Sequence, residues 1–409
     1  MSIVNIISAI GNNSSIYPLL VRDCGIEIPT KVGMTYSQNL KDSKQMANNA
    51  VRERLIDEYG TSAIWLGGIP AIDLVCNYGI KKLGYNPNIN SNLLKENNKQ
   101  GLELNIKNFK DKAPNEVKEL EKVLNNKKTF QRLLAGKFIL STTIPVALMG
   151  YFLPKANFAL TEKIKLKQEK EKEKLIQEKN KNSEISFKGV ISTLSNMSTV
   201  NKMAVTDGGL TVGRVGTARN KYERLEMGFK MTGMMFLNFV APIWIAKGLD
   251  KLSNKLFNTN VDLDPKLLNN KEFLNTIKDN KLEFPKNDFI EYLDKNPKST
   301  FSKLAEKYCG VKFLKNGVRD PREFVNEGNL EKFSKELESF TKQALKSGDV
   351  NKFARKALYV KSGNILANLA ISSSLLAVGL PKLTFVLRKL VTGSDAEPGL
   401  VKTEKQAWY

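Results

Sequence analysis

Apolar residues gather in four stretches, Thr61 to Ile80, Phe138 to Leu153, Met231 to Ala246 and Ile365 to Leu380, with long polar segments between them. A helix that crosses a membrane needs about 20 mainly apolar residues, with a floor of about 17. Each stretch is close to that limit and each is interrupted: by Pro70, Asp73 and Asn77, by Pro145, by Asn238 and Pro242, and by Asn368 and Ser372 to Ser374. Helices in lipid tolerate Gly, Pro, Ser and Thr at this density and pack through their small residues, so the pattern predicts four crossings. Trp65, Tyr78, Tyr151 and Trp244, with Lys81, Lys82, Lys137, Lys155, Lys247, Lys382, Arg388 and Lys389, stand where interface anchors belong. Four crossings put both termini on one side. The lysines at 163, 165, 167, 170, 172 and 174 point that side to the cytoplasm.

The polar segments carry helical periodicity of their own. Pro114 opens a helix whose Val117, Leu120, Val123, Leu124 and Leu133 fall near one face. Leu330, Phe333, Leu337, Phe340 and Leu345 do the same later, and Ser299 is placed to cap a helix bearing Phe301 and Leu304. An amphipathic face has to be buried, so each insert is expected to form a small helical layer beside the bundle. Strand signals are confined to Ile26 to Ile28 and Leu210 to Val212, bounded by glycine as a short hairpin or extended loop would be. The apolar run Ile3 to Ile10 lacks a basic residue before it and gives way to Asn12, Asn13, Ser14 and Ser15, unlike a cleavable signal peptide.

Comparing the chain with itself yields three collinear matches. Asp23, Gly25, Ile26, Ile28, Lys31, Val32 and Gly33 align with Asp207, Gly209, Leu210, Val212, Arg214, Val215 and Gly216 across a one-residue gap. Pro70 pairs with Pro242, and residues 85 to 90 match 257 to 262 at the same offset. Residues 136 to 160 match 363 to 387 without a gap, with eight of 25 positions identical, among them Leu-Pro-Lys at 153 to 155 and 380 to 382. The expected fold is therefore mainly all-α: a multipass helical membrane protein built from two parallel repeats of two hydrophobic helices with polar helical inserts. Residues 1–160 form the first repeat, with hydrophobic helices near 61–80 and 136–154 and an insert over 81–135. Residues 161–185 are a charged linker that begins in the Lys/Glu/Gln-rich run Thr161 to Ser183. Residues 186–395 form the second repeat, with helices near 231–247 and 363–381 and an insert over 250–362, and 396–409 form a tail.

Charge and chemistry add mostly exclusions. Lys and Arg number 64 against 42 acidic residues, yet the signs interleave and only 11 of the 64 are Arg. Nucleic-acid interfaces favour the Arg fork, so nucleic acid is not expected as a partner. The codon bias of an A- and T-rich genome accounts for the Lys and for 40 Asn. The absence of His removes the commonest general base and the imidazole metal ligand. Cys24, Cys76 and Cys309 have no paired spacing, so no disulfide framework or metal site is encoded. Cys24 has no neighbouring base to make it a nucleophile.

No cofactor, metal or enzymatic activity is expected. The repeated Asp-x-Gly segment, with Asp23, Gly25, Lys31 and Gly33 in one copy and Asp207, Gly209, Arg214 and Gly216 in the other, reads either as an anion-binding backbone turn or as structural glycines. It lacks the Gly-Lys-Ser/Thr of a phosphate loop. Asp73, inside an apolar stretch, is a candidate intramembrane polar site. The leading functional reading is an integral membrane protein with a structural or interaction role. Its partners are then the lipid bilayer and a second copy of the chain. A transporter or channel component using Asp73 is the second reading. A peripheral helical protein holding anionic lipid is the third.

Overall fold

The computed structural model describes all residues except 1, 13–14, 41–42, 96–98, 171–198, 219, 286–287 and 394–409; the side chains of 46, 165–170 and 199 are also not described. Among the described residues the fold is helical, with one isolated bridge between Phe313 and Arg319. Six helices make the bundle: α1 (residues 17–39), α2 (44–82), α3 (127–170), α4 (Thr199–Thr217), α5 (221–257) and α6 (350–392). Four of them, over Ala47–Lys82, Lys127–Ile164, Lys221–Phe257 and Val350–Thr392, are long and apolar enough to cross a membrane.

The prolines do not end these helices. Five times a wide π-helical turn is followed by one residue and then Pro: Val21–Glu27 before Pro29, Ile64–Gly68 before Pro70, Leu148–Phe152 before Pro154, Phe236–Val240 before Pro242 and Leu375–Gly379 before Pro381. A proline inside a helix lacks an N–H and presses its ring on the carbonyl four residues back. Widening the turn there relieves the clash while the helix continues. Each long helix is thus unbroken in length but interrupted near its middle.

α2 and α3 lie antiparallel along their whole length, and so do α5 and α6. α1 forms a hairpin with α2, and α4 with α5. The two shorter helices then reach across: α4 packs on α3 around its wide turn, and α1 packs on α6 around its wide turn. The backbone at 26–28 and 210–212 is helical where an extended loop is expected from the alternation; both segments pack by one face, through Ile28 and Leu210, while Val212 stays exposed. The helix Ile3–Gly11 packs on the second insert, where the Ser8 hydroxyl donates to the Asp264 carboxylate at 2.8 and 2.9 Å. α6 ends beside the start of α5, at the other end of the bundle. Residues 17–39 run lengthwise as a further helix beside the four long ones.

The two inserts form one joint layer rather than one layer each. Gln100 exchanges two hydrogen bonds with the backbone of Val325, at 2.7 and 2.8 Å, and Asn105 donates to the Pro321 carbonyl at 2.7 Å. Phe273, Phe301, Leu330, Leu337 and Phe340 form the main apolar core of the layer. Ser299 caps its helix as expected, accepting from Ser302 N at 3.1 Å. Leu133 belongs to α3 instead of the insert helix Pro114–Asn125, and Leu345 is exposed. Of the linker, residues up to 170 continue α3; residues 171–185 and the tail from 396 lie outside the described residues.

Candidate functional site

Burial along the bundle is inverted relative to a soluble protein. Leu74, Val75, Phe152, Trp244 and Leu366 are half or more exposed, at 69, 71, 58, 64 and 50%, while Arg22, Asp23, Glu27, Lys31, Asp207, Arg214 and Arg388 are buried. The Asp-x-Gly helices α1 and α4 supply most of these buried charges. In each, residues about one or two turns apart line a single face, so a helix that is polar on one side only can place carboxylates and cations together in the interior.

In α1, Arg22 Nε donates to Asp23 Oδ1 at 3.2 Å, and the Lys31 ammonium bonds the Glu27 carboxylate one turn before it. In α4, Arg214 forks onto Asp57 of α2 at 2.7 and 2.8 Å and also donates to Thr61 Oγ1 at 2.7 Å. Glu58, the neighbour of Asp57, gathers cations from three helices: Arg54 at 3.1 Å, Lys230 of α5 at 3.6 Å and Lys31 at 3.9 Å. Arg388 of α6 forks onto Glu226 of α5 at 2.5 and 2.8 Å. Lys31, Arg54, Arg214, Glu226, Lys230 and Arg388 line a cavity of about 140 Å³ at this end of the bundle. That volume admits several waters or a small ion.

Asp207 lies deeper, 9% exposed, and has no hydrogen-bond or ion-pair partner among the described residues. Asp23 and Glu27 of α1 and Arg214 of its own helix are near enough for their charges to act on it. Asp73 is not isolated in the apolar stretch; Lys202 of α4 holds both of its oxygens, at 2.7 and 2.9 Å.

The glycines lie within helix, where backbone amides bond to their own helix, rather than in a turn. Gly209 and Gly213 are crossing points instead. A Cβ on Gly209 would lie 2.8 Å from Val146 Cγ2, and one on Gly213 would lie 3.2 Å from Gly150 Cα of α3. Gly25 and Gly33 have open space where a side chain would project, and Gly216 is half-buried in the last turn of α4.

The structure therefore joins Asp23, Lys31, Asp207 and Arg214 in one polar interior and places Asp73 in a separate pair farther along α2. Asp57, Glu58, Lys202, Glu226 and Lys230 are functional candidates that sequence reading does not single out, because charges at the ends of apolar stretches look like interface anchors. Arg388 is one such anchor that turns inward, and Trp65 is another, its Nε1 donating to the Met203 carbonyl at 3.5 Å. The usable signal is the i, i+4 pairing of Glu27 with Lys31 and of Arg54 with Glu58. Comparison with protein families, with characterised proteins and with solved structures finds no match to this chain.

Proposed function

We propose that this chain is an integral membrane protein made of two copies of one three-helix unit, and that a small solute or ion moves along the polar interface between them. The observation that carries the reading is the inversion of the bundle: apolar side chains face outward along four long helices while paired charges fill the interior. An apolar belt of this extent is unstable in water and stable in lipid, and charges inside a membrane bundle belong to solute paths by default. The leading alternative of a purely structural role leaves the interior charges without a task.

Duplication is supported by the three collinear sequence matches. The offset that aligns Pro70 with Pro242 also aligns the wide turn Ile64–Gly68 with Phe236–Val240. Under that offset Glu58 is equivalent to Lys230, and the two pair with each other at 3.6 Å, as groups beside a two-fold axis do. Parallel repeats with interrupted helices are a recurrent plan of membrane carriers.

Membrane fractionation tests the first half of the proposal. Retention through high-salt and alkaline carbonate washes, with release by detergent, is expected; release by salt overturns it in favour of a peripheral protein on anionic lipid. Reconstituted vesicles test the second half, with uptake of protons, sodium, potassium, inorganic phosphate and short carboxylic and amino acids. Flux of one of these, lost in Asp73→Asn while insertion is retained, is expected. No flux from the wild type across that set overturns the transport reading.

A further inference from the structure

Asp207 differs from the paired acidic side chains around it. Asp57 is held by the Arg214 fork, Asp73 by Lys202, Glu226 by Arg388, Asp23 by Arg22 and Glu27 by Lys31. Asp207 is nine-tenths buried and has no such partner among the described residues. A buried ionised carboxylate without a counter-charge is strongly disfavoured, and the group then takes up a proton.

The surroundings reinforce this. The lengths of helix around its level carry no charge: 61–72 of α2, 138–153 of α3, 231–246 of α5 and 363–380 of α6 are free of Asp, Glu, Lys and Arg. The charged groups that act on Asp207 are Asp23 and Glu27 of α1 and Arg214 on its own helix, and the cations beside them on α1 are Arg22 and Lys31. Arg22 is turned to Asp23, Lys31 to Glu27 and Arg214 to Asp57, so each cation is already engaged and the two α1 carboxylates add like charge. Among the described residues no group of three acidic or thiol side chains is arranged to hold a metal ion. A lone buried carboxylate is neutralised by a proton without any further ligand.

We propose that Asp207 is a proton-binding site in the interior of the bundle, occupied when the carboxylates of Asp23 and Glu27 face it and emptied when they do not. The occupancy of the site stands on its burial and lack of a partner. Its coupling to a solute rests on the transport reading above.

Dicyclohexylcarbodiimide, an apolar reagent for protonated carboxyls, tests the site on the full chain in detergent micelles. The acid O–H adds across one C=N bond: the carboxyl oxygen bonds the central carbon, the proton moves to nitrogen, and an oxygen-to-nitrogen acyl shift leaves a stable acylurea with no atom lost. Mass spectrometry of peptides is expected to find the adduct on Asp207 at acidic pH, with yield falling about tenfold per pH unit above a midpoint. Asp57 and Asp73 are expected to stay unmodified under the same conditions. Asp23→Asn removes a like charge, so the midpoint is expected to move to lower pH, and an unmoved midpoint overturns the part assigned to Asp23.

Absence of the adduct from Asp207 at every pH overturns the proposal. So does a pH-independent yield, or equal labelling of Asp57 and Asp73. A labelled Asp207 in a chain that moves no proton or solute in vesicles removes the transport reading and leaves the site, whereas flux with an unlabelled Asp207 removes the site and leaves transport.

Discussion

Removing either partner of the Arg214–Asp57 pair tests how the bundle is held at its charged end. Both guanidinium nitrogens reach a carboxylate oxygen, and the side chains are 7% and 20% exposed. Truncating one partner of such a pair strands the other, at a cost of about 3 kcal/mol, the lower part of the range for a fully buried pair because Asp57 keeps some contact with water. Unfolding entropies of about 2.1 cal/mol/K per residue convert this, over 409 residues, to a Tm lower by about 3–4 °C. Arg214→Met and Asp57→Leu are each expected to show that loss when the purified protein is heated in detergent and its monodisperse fraction followed by size exclusion. The double variant is expected to regain most of it, since two apolar side chains of similar size replace the pair without stranding a charge. With about 3 kcal/mol lost in each single variant and at most about 1 in the double, the coupling between the two sites is then about 5 kcal/mol. If the two losses simply add, the fork contributes nothing specific and the reading of the pair as an interior lock is refuted.

Other perturbations separate the bundle from the insert layer. Gly213→Leu drives a side chain into the backbone of Gly150, which cannot yield, and is expected to cost about 1–3 kcal/mol or more in the same heating assay. Gly33→Ala, with open space at its Cβ, is expected to gain about 0.5–1 kcal/mol from helix propensity; a loss would show that α1 is packed more tightly there than described. Phe340→Ala empties the core of the insert layer at a cost of about 3–5 kcal/mol, and should expose that layer to protease while the chain stays with the membrane. Burial pushes the Tyr308 hydroxyl and the Cys309 thiol up to about 12 each. The unfolded chain then loses protons first, so the layer is expected to lose stability as pH rises from about 9 to 12, and Tyr308→Phe should flatten that fall. An unchanged alkaline transition in Tyr308→Phe would refute the assignment.

The four apolar stretches were legible because a helix long and apolar enough to cross a membrane is marked by its composition alone, whatever its neighbours are. The helical inserts and the Ser299 cap were legible for a similar reason, being set by local spacing. The wide turns were not: Pro70, Pro154, Pro242 and Pro381 mark helix breaks by local rules, and only the neighbouring helices decide that the chain widens and continues. The Asp-x-Gly segments misled because three alternating apolar residues beside glycine fit an extended loop as well as a helix. Gly209 and Gly213 serve α3, and no local pattern states which helix will cross them. Arg388 and Trp65 read as interface residues because sequence gives the distance from an apolar stretch but not the direction of the side chain.

The interior pairs carry an argument that stability alone does not supply. A buried ion pair is often replaceable by apolar residues without loss, so a bundle selected only to hold together has no need of Arg214, Lys230 or Arg388. Two of these contacts join the halves of the chain: Arg214 and Lys230, both from the second half, reach Asp57 and Glu58 on α2 of the first. Arg388 and Glu226 join two helices of the same half. Relative movement of the halves would break the first two contacts and leave the third intact, and Glu58, with cations from α1, α2 and α5 around it, has alternative partners to exchange. The two contacts that join the halves thus lie along one seam at the charged end, and Asp207 lies behind that seam, among lengths of helix free of charge on α2, α3, α5 and α6.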